Sequence, residues 1–453
     1  MNTKSLCFIL AATAFCALPS VGQKKTDKPV PTGLESLVKQ FFADKKAQAH
    51  ILATKEGRPQ LPEIWDFFEA GENGDWSRVA ALYRGLRRGA YQYDGTRKEP
   101  LLATTVWQAV NESFGVYEEC AHGEEKYVTL FAREILGSIP RGSVYFGGTD
   151  PGRWLVTAFS KSHTRADPCF VLTQNALADS LYLKYLRLMY GDRLALPSEA
   201  DSQKVFAEYV AEAGQRLKDD KLKPGENVTE EEGKVQVSGQ VAVMEVNARL
   251  ARIIFDANPK REFFVEESFP LEWMYPHLAP HGLIMEIARE PLTALSARSL
   301  KQDRDYWKRF TDKALGKWLT PETPVEAVCD FATVVFERKS AGEYKSDPGF
   351  VRNDYACKTF SKLRSSIGGV YAWRVTNATS AAEKKRMAKE ADFAFRQAFA
   401  LCPYSPEAVF RYSSLLVKQG RKKDARLVAE TAQRLDPRHG GFAKLVGELQ
   451  ESQ

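Results

Sequence analysis

Ala391, Ala398, Leu401 and Pro403 recur as Ala425, Ala432, Leu435 and Pro437, a step of 34 residues near the C-terminus. A fixed period of this size marks stacked supersecondary units, each too small to bury its apolar face alone. Small side chains at the repeated positions let paired helices approach closely, and Gly420 falls in the turn between the last two long helices. Residues 365–453 are therefore expected to be helix pairs. The earlier copy is helped by Phe395 but departs in its first helix, Ser365 to Thr376, with a loop through Ser380 inserted. Two copies are few for a free-standing array, so this one is expected to lean on a helical connector over residues 292–364.

The other end of the chain carries an export pattern. Lys4 precedes an apolar run from Leu6 to Leu18, and Ser20-Val21-Gly22 offers small residues for cleavage. That run of about 13 residues is short of the 20 or so that span a bilayer, so residues 1–22 read as a signal peptide. A polar linker follows over residues 23–32. The mature chain is expected in the periplasm or outside the cell, with no membrane span, because no later apolar stretch is long enough. A net charge of +6 from 64 basic and 58 acidic residues is too balanced to imply nucleic acid. Cys120, Cys169, Cys329, Cys357 and Cys402 remain after export, odd in number and without a CxxC pair. They read as buried free thiols, with Cys329 and Cys357 bridge candidates only by default.

Between the ends, apolar residues at helical spacing fill residues 33–126, including Leu34, Leu37, Val38, Phe41 and Phe42, and a hairpin around Gly71–Gly74 with Asp75 as cap. The middle changes period. Val144-Tyr145-Phe146 and Cys169 to Thr173 are β-rich runs, each followed by a helical pattern, and further strands are expected at Glu262–Glu266 and Gly282–Ala288. A hairpin is expected to end in Lys234–Gly239. Strand, helix, strand, helix is the signature of βαβ units. The fold class expected is α/β: a central parallel or mixed sheet over residues 127–291, flanked by helical segments and the C-terminal helical array.

In such sheets ligands sit beyond the carboxyl ends of the strands. Reading forward places Gly147, Gly148, Asp150 and Arg153 at the first end, Gln174, Asn175 and Asp179 at the second, and Glu266 with Glu267 and Ser268 at the third. Carboxylates and amides there suit a hydroxyl-rich ligand such as a sugar, and Asp150 and Asp179 are the acid–base candidates. The same residues also suit helix caps and turns. With Asp150 as N-cap, Pro151 falls at N1 and Arg153 at N3, and the carboxylate competes with a phosphate for the helix amides. The turn lacks a P-loop lysine and a G-x-G-x-x-G spacing, so no nucleotide cofactor is expected. Pro276 and Pro280 break any helix that would align His277 with His281, so no metal is expected either. Ser36-x-x-Lys39 lacks its companion motifs. Sequons lie at Asn111, Asn227 and Asn377.

The 34-residue pattern resembles tetratricopeptide repeats. The strings GSVYFGGTDPGRW, DPCFVLTQNALADSLYLKYLRLMYGD and FFVEESFPLEWMYPHLAPHGLIMEI resemble exported bacterial proteins of unknown function. Those proteins are related to the soluble part of protein O-mannosyltransferase-like membrane proteins. In the membrane relatives glycosyl transfer belongs to the multi-helix membrane part, which this chain lacks, so the resemblance implies no transferase activity. It implies that Asp150, Asn175 and Asp179 share one crevice and that the protein has a glycan or glycoprotein connection. The export pattern, the 34-residue period and the lack of a complete catalytic constellation favour a non-catalytic binding or scaffold protein that offers its repeats to a protein partner; the alternatives are a glycan-acting enzyme using the crevice and a purely structural envelope component.

Overall fold

The computed structural model describes residues 28–90, 99–161, 169–231, 233–266 and 271–451. The expected signal peptide, residues 23–27 of the linker, and Glu267 and Ser268 lie outside the described residues. The chain divides into two compact units, residues 1–128 with 140–261, and residues 129–139 with 262–453.

In the first unit, α1 (Thr32–Glu56) buries the stripe Leu34, Val38, Phe41, Phe42, Ala49 and Leu52 and ends at Gly57 in the left-handed region. Pro62 opens α2 (Pro62–Asn73), and Asp75 accepts the Arg78 amide at 3.1 Å to cap α3 (Trp76–Ala90). α4 (Val106–His122) follows, and α5 (Glu125–Ser138) carries the chain into the second unit from Thr129. Back in the first unit, β1 (Ser143–Gly147), α6 (Asp150–Ser160) and β2 (Cys169–Thr173) form one βαβ unit with β1 and β2 parallel, Ser143 opposite Cys169 and Gly147 opposite Thr173. α7 (Ser180–Tyr190) and α8 (Glu199–Lys218) come next, the latter opened by a capping box between Ser198 and Asp201. A hairpin of β3 (Asn227–Glu231) and β4 (Lys234–Ser238) precedes α9 (Gly239–Ala257).

The side of β2 away from β1 is covered by two tyrosines of α7. The Tyr190 hydroxyl accepts from the Val171 amide and donates to the Val171 carbonyl, both at 2.9 Å, and the Tyr182 hydroxyl accepts from the Thr173 amide at 2.6 Å. Both rings are buried. A strand edge that would otherwise be an open template is thus closed by side chains.

The second unit holds three antiparallel strands, β5 (Phe263–Glu266), β6 (Leu278–His281) and β7 (Ile284–Ile287), in the order β5-β7-β6, with β7 paired to both others. Helices fill the rest: α10 (Ala297–Leu315), α11 (Val325–Ala332), α12 (Pro348–Val351), α13 (Asp354–Asn377), α14 (Ala381–Leu401), α15 (Pro406–Lys418), α16 (Lys422–Leu435) and α17 (Gly440–Glu451). The 34-residue pattern falls on α14 and α16, where Ala391, Ala398, Ala425 and Ala432 are all fully buried. Ser380 is the N-cap of α14, its hydroxyl accepting the Glu383 amide at 3.1 Å.

The α/β class expected from the sequence is overturned. Helices make up 70% of the described residues and strands only 8%. The β-rich runs are strands, but each is four or five residues long. After β2 the chain makes two further helices before it reaches the β3–β4 hairpin. A single βαβ unit does not make a sheet-centred domain, and most of the buried residues come from helix faces.

Glu226, just before β3, shows how tightly a turn can be held. Its carboxylate accepts from Arg216 Nε at 3.1 Å, the Lys223 amide at 2.9 Å and the Tyr209 hydroxyl at 2.8 Å. The Arg216 guanidinium, aided by those two donors, lowers the Glu226 carboxyl to about 2. Its unfolded value is about 4.3, so this stabilisation is complete above that pH and is lost as pH falls toward 2. Glu226→Gln should therefore lower the urea midpoint at pH 7 and shrink the further loss between pH 4.5 and 2.5. Tyr190→Phe should cost about 1–3 kcal/mol, because it strands a buried amide and carbonyl on β2. Urea unfolding would measure it, and an unchanged midpoint would count against the role assigned to the hydroxyl.

Candidate functional site

The turn after β1 is built for close approach. A Cβ on Gly147 would stand 3.0 Å from the backbone of Gly152 and Arg153, so glycine lets the start of α6 fold back on the strand end. Thr149, extended at φ −88° and ψ 163°, is the N-cap, and its hydroxyl accepts the Gly152 amide at 3.1 Å. This corrects the expected register, in which Asp150 was the cap and Pro151 stood at N1. Asp150 is the first helical residue and Pro151 the second, a shift of one that proline's fixed φ tolerates equally well. The Asp150 carboxylate instead accepts from Arg153, at 3.1 Å from Nε and 2.5 Å from Nη2. The Arg153 guanidinium lies 4.3 Å over the Trp154 ring.

At the end of β2 the chain makes a short 3₁₀ turn, Gln174–Ala176, and then the N-cap of α7. That cap is Asp179, which accepts the Leu181 amide at 2.9 Å and Gln108 Nε2 at 3.4 Å. Asn175 Nδ2 donates to the Gly148 carbonyl at 3.4 Å and so links the two strand ends. Gln174 is fully buried. Its Nε2 reaches Asn175 Oδ1 at 3.4 Å, while its Oε1 meets no donor among the described residues.

The first two strand ends thus assemble a half-buried polar surface from Gly148 and Asn175, underlain by the buried Gln174, with Asp179 at the next helix start. Asp150 and Arg153 pair with each other on the first turn of α6. Glu266, the third expected contributor, is buried at the end of β5 in the other unit.

Asn247 was not anticipated. From α9 its Oδ1 accepts the Ala178 amide at 2.7 Å and its Nδ2 donates to the Asn175 carbonyl at 3.2 Å, so one fully buried amide fixes the turn that carries Asn175. Its sequence signal is an asparagine at the buried spacing Val243, Val246, Leu250. A second unanticipated group is an ionic cluster joining three helices. Lys45 of α1 is 1% exposed, forms an ion pair with Glu112 of α4 and donates to the Tyr185 hydroxyl of α7 at 2.9 Å. Tyr185 in turn donates to Glu112 at 2.8 Å. Burial, with the Glu112 charge beside it, raises the phenol well above its ordinary value, so it stays protonated as the donor.

The remaining sequence candidates have structural partners. His277 Nδ1 donates to the Ala288 carbonyl at 2.7 Å and His281 Nε2 to the Ser138 carbonyl at 2.8 Å. Among the described residues no cluster of three metal-ligating side chains occurs. Lys39 pairs with Glu35 at 2.7 Å on the rim of an open hollow that also includes Ser36, Gln40 and Glu72. The sequon at Asn111 is interior, since Ser113 is fully buried, whereas Asn227 and Asn377 are exposed. Cys120, Cys169, Cys329, Cys357 and Cys402 are all buried free thiols. Among the described residues no helix is long and apolar enough to cross a membrane.

No family model, curated protein or solved structure matches this chain.

Chemically, the strand-end surface can hold hydrogen-bonding groups through amide donors and acceptors. Both carboxylates proposed for acid–base work have prior engagements, Asp179 as a helix cap and Asp150 with Arg153. Thr149→Ala should lower stability by about 1 kcal/mol through loss of the cap. Asp150→Asn should cost about 0.5 kcal/mol or less, as expected of a partly exposed i, i+3 pair. Urea midpoints of the two variants, compared with wild type, check the order, and a larger loss for Asp150→Asn would restore it as the cap.

Proposed function

We propose that this chain is an exported, non-catalytic binding or scaffold protein. Its tetratricopeptide-like helices α13–α17 offer a surface to a protein partner, and its work is connected with envelope glycans or glycoproteins. One observation carries the binding surface. Of the large hydrophobic side chains exposed among the described residues, Phe410 (37%) and Val417 (36%) stand seven residues apart on α15, with exposed Ser414 between them. Residues at i, i+4 and i+7 share one helix face, so the two apolar groups form a short ridge. Phe410 is backed by Phe442 at 5.7 Å and His439 at 6.1 Å between ring centroids. Such a ridge on a supported ring suits the apolar anchors of a bound protein segment.

The glycan-acting enzyme is the second reading. It needs a free acid and a free base at one site, and the engagements of Asp150 and Asp179 count against it. The half-buried amide of Asn175 supports a sugar hydroxyl as ligand without chemistry on it.

The test is a double variant, Phe410→Asp with Val417→Asp, beside wild type in capture from an envelope extract. Wild type should retain a saturable partner, and the variant should bind it at least tenfold more weakly with an unchanged melting curve. Equal capture by both proteins would remove α15 from the interface. Thermal shift with mono- and oligosaccharides would separate the readings. A sugar response that survives Asp150→Asn and Asp179→Asn fits binding alone, whereas turnover of an oligosaccharide abolished by those changes would favour the enzyme.

A further inference from the structure

We propose that Cys357 and Cys402 form an intramolecular disulfide that staples α13 to α14 when the chain folds in an oxidising environment. The argument starts from the register of the two helices. The Ser361 hydroxyl donates to the Ala398 carbonyl at 2.7 Å, Arg364 Nε donates to Gln397 Oε1 at 2.9 Å, and a Cβ on Gly368 would lie 2.9 Å from the Phe395 ring. As the number rises along α13 it falls along α14, so the helices run antiparallel. One turn back from Ser361 on α13 is Cys357, and the residue that caps the C-terminus of α14 is Cys402, whose amide still donates to the Ala398 carbonyl at 3.2 Å. The two cysteines therefore face each other across the hairpin, and both are fully buried.

The spacing suits a cross-link. Disulfides need Cα atoms about 4.4–6.8 Å apart, whereas helix axes are usually 8–10 Å apart. A serine hydroxyl reaches a carbonyl on a neighbouring helix only where the two backbones nearly touch. Ser361 records such a touch one turn from the cysteine pair, where Ser365, Gly368, Ala394 and Ala398 are also small and buried. The two thiols lie close enough for Cys402 to act electrostatically on Cys357. Cys329 interacts with the Thr431 hydroxyl.

The oxidant is a small disulfide, RSSR. One cysteine, as thiolate, attacks RSSR, forming a mixed protein–SR disulfide and releasing RS⁻. The second cysteine, also deprotonated, attacks the protein sulfur of that bond and releases the second RS⁻. The protein loses two electrons and two protons, and RSSR becomes two RSH. Burial pushes both thiols up in the packed hairpin, which disfavours the attacking thiolate. Bond formation accordingly belongs to the open chain, before α13 and α14 close.

Refolding the full chain from urea in a mixture of oxidised and reduced glutathione, followed by alkylation and peptide mapping without reductant, tests this. The expected result is a joined pair of peptides containing Cys357 and Cys402, two hydrogens lighter than the separate peptides, with Cys120, Cys169 and Cys329 alkylated. Oxidised chain should also unfold at higher urea than the same sample after reduction, because the bond closes a loop of roughly 45 residues. Complete alkylation of Cys357 and Cys402 after oxidative refolding, or either one joined to a different cysteine, would overturn the proposal. Cys402→Ser should yield no joined peptide at Cys357. The wild-type map decides the matter even if that variant does not fold.

Discussion

Val171 and Thr173 lie on a strand five residues long, and their outward backbone groups would each cost about 1–3 kcal/mol if buried without partners. The obligation to pair every buried backbone group runs through this protein, and side chains of neighbouring helices meet much of it. Tyr182 and Tyr190 close the outer side of β2. Asn247 holds the turn after that strand, and Asn258 both donates to and accepts from Ala195 at 2.9 and 3.0 Å. Arg261 donates to the carbonyls of Gly142 and Arg193. The second unit uses arginine in the same way. Arg374 serves Leu292, Pro276 and Leu278, Arg396 serves Pro321 and Thr323, and Arg386 serves Leu295. The polar residues inside are thus largely the means by which loops and short strands are tolerated there.

Charges are buried under the same rule. In the second unit Asp303 accepts two bonds from Arg364, at 3.0 and 2.9 Å, and one from the Tyr371 hydroxyl at 2.7 Å, while Arg364 lies over the Trp307 ring. A buried ion pair contributes little net stability relative to apolar packing, but losing one partner costs several kcal/mol. Such networks specify which helices meet more than they stabilise the meeting.

Much of the local structure could be read from the sequence. β1, β2 and β5 stand where β-branched and aromatic runs placed them, and the hairpin with its Asp75 cap stands where Gly71–Gly74 placed it. The class could not be read, because a run of five apolar residues announces a strand without telling how many others join it. β6 is not among the strands expected from the sequence, and Pro280 lies inside it. Proline's missing N–H is compatible with a strand that pairs on one side, as β6 does with β7. Thr149 and Asp150 are both good N-caps beside a proline, so only the backbone angles separate them. At the site, Asn175 and Asp179 were legible as polar residues after a strand. The engagement of Asp179 with its own helix, and the hold of Asn247 from about 70 residues away, depend on packing that no local pattern encodes.

Lys45 could be noticed from spacing alone, since it occupies the stripe Phe41, Ala49, Leu52 where an apolar residue belongs. Its position has a geometric consequence. Apolar contacts are non-directional and would let α1 slide along its neighbours at modest cost. An ammonium group enclosed by Glu112 and Tyr185 has one place to be. Moving α1 by a single turn, about 5.4 Å, would leave one charge on each side without its counterpart. The cluster therefore works as a detent on the helix axis, fixing the longitudinal position of α1 while the apolar stripe fixes only which face turns inward.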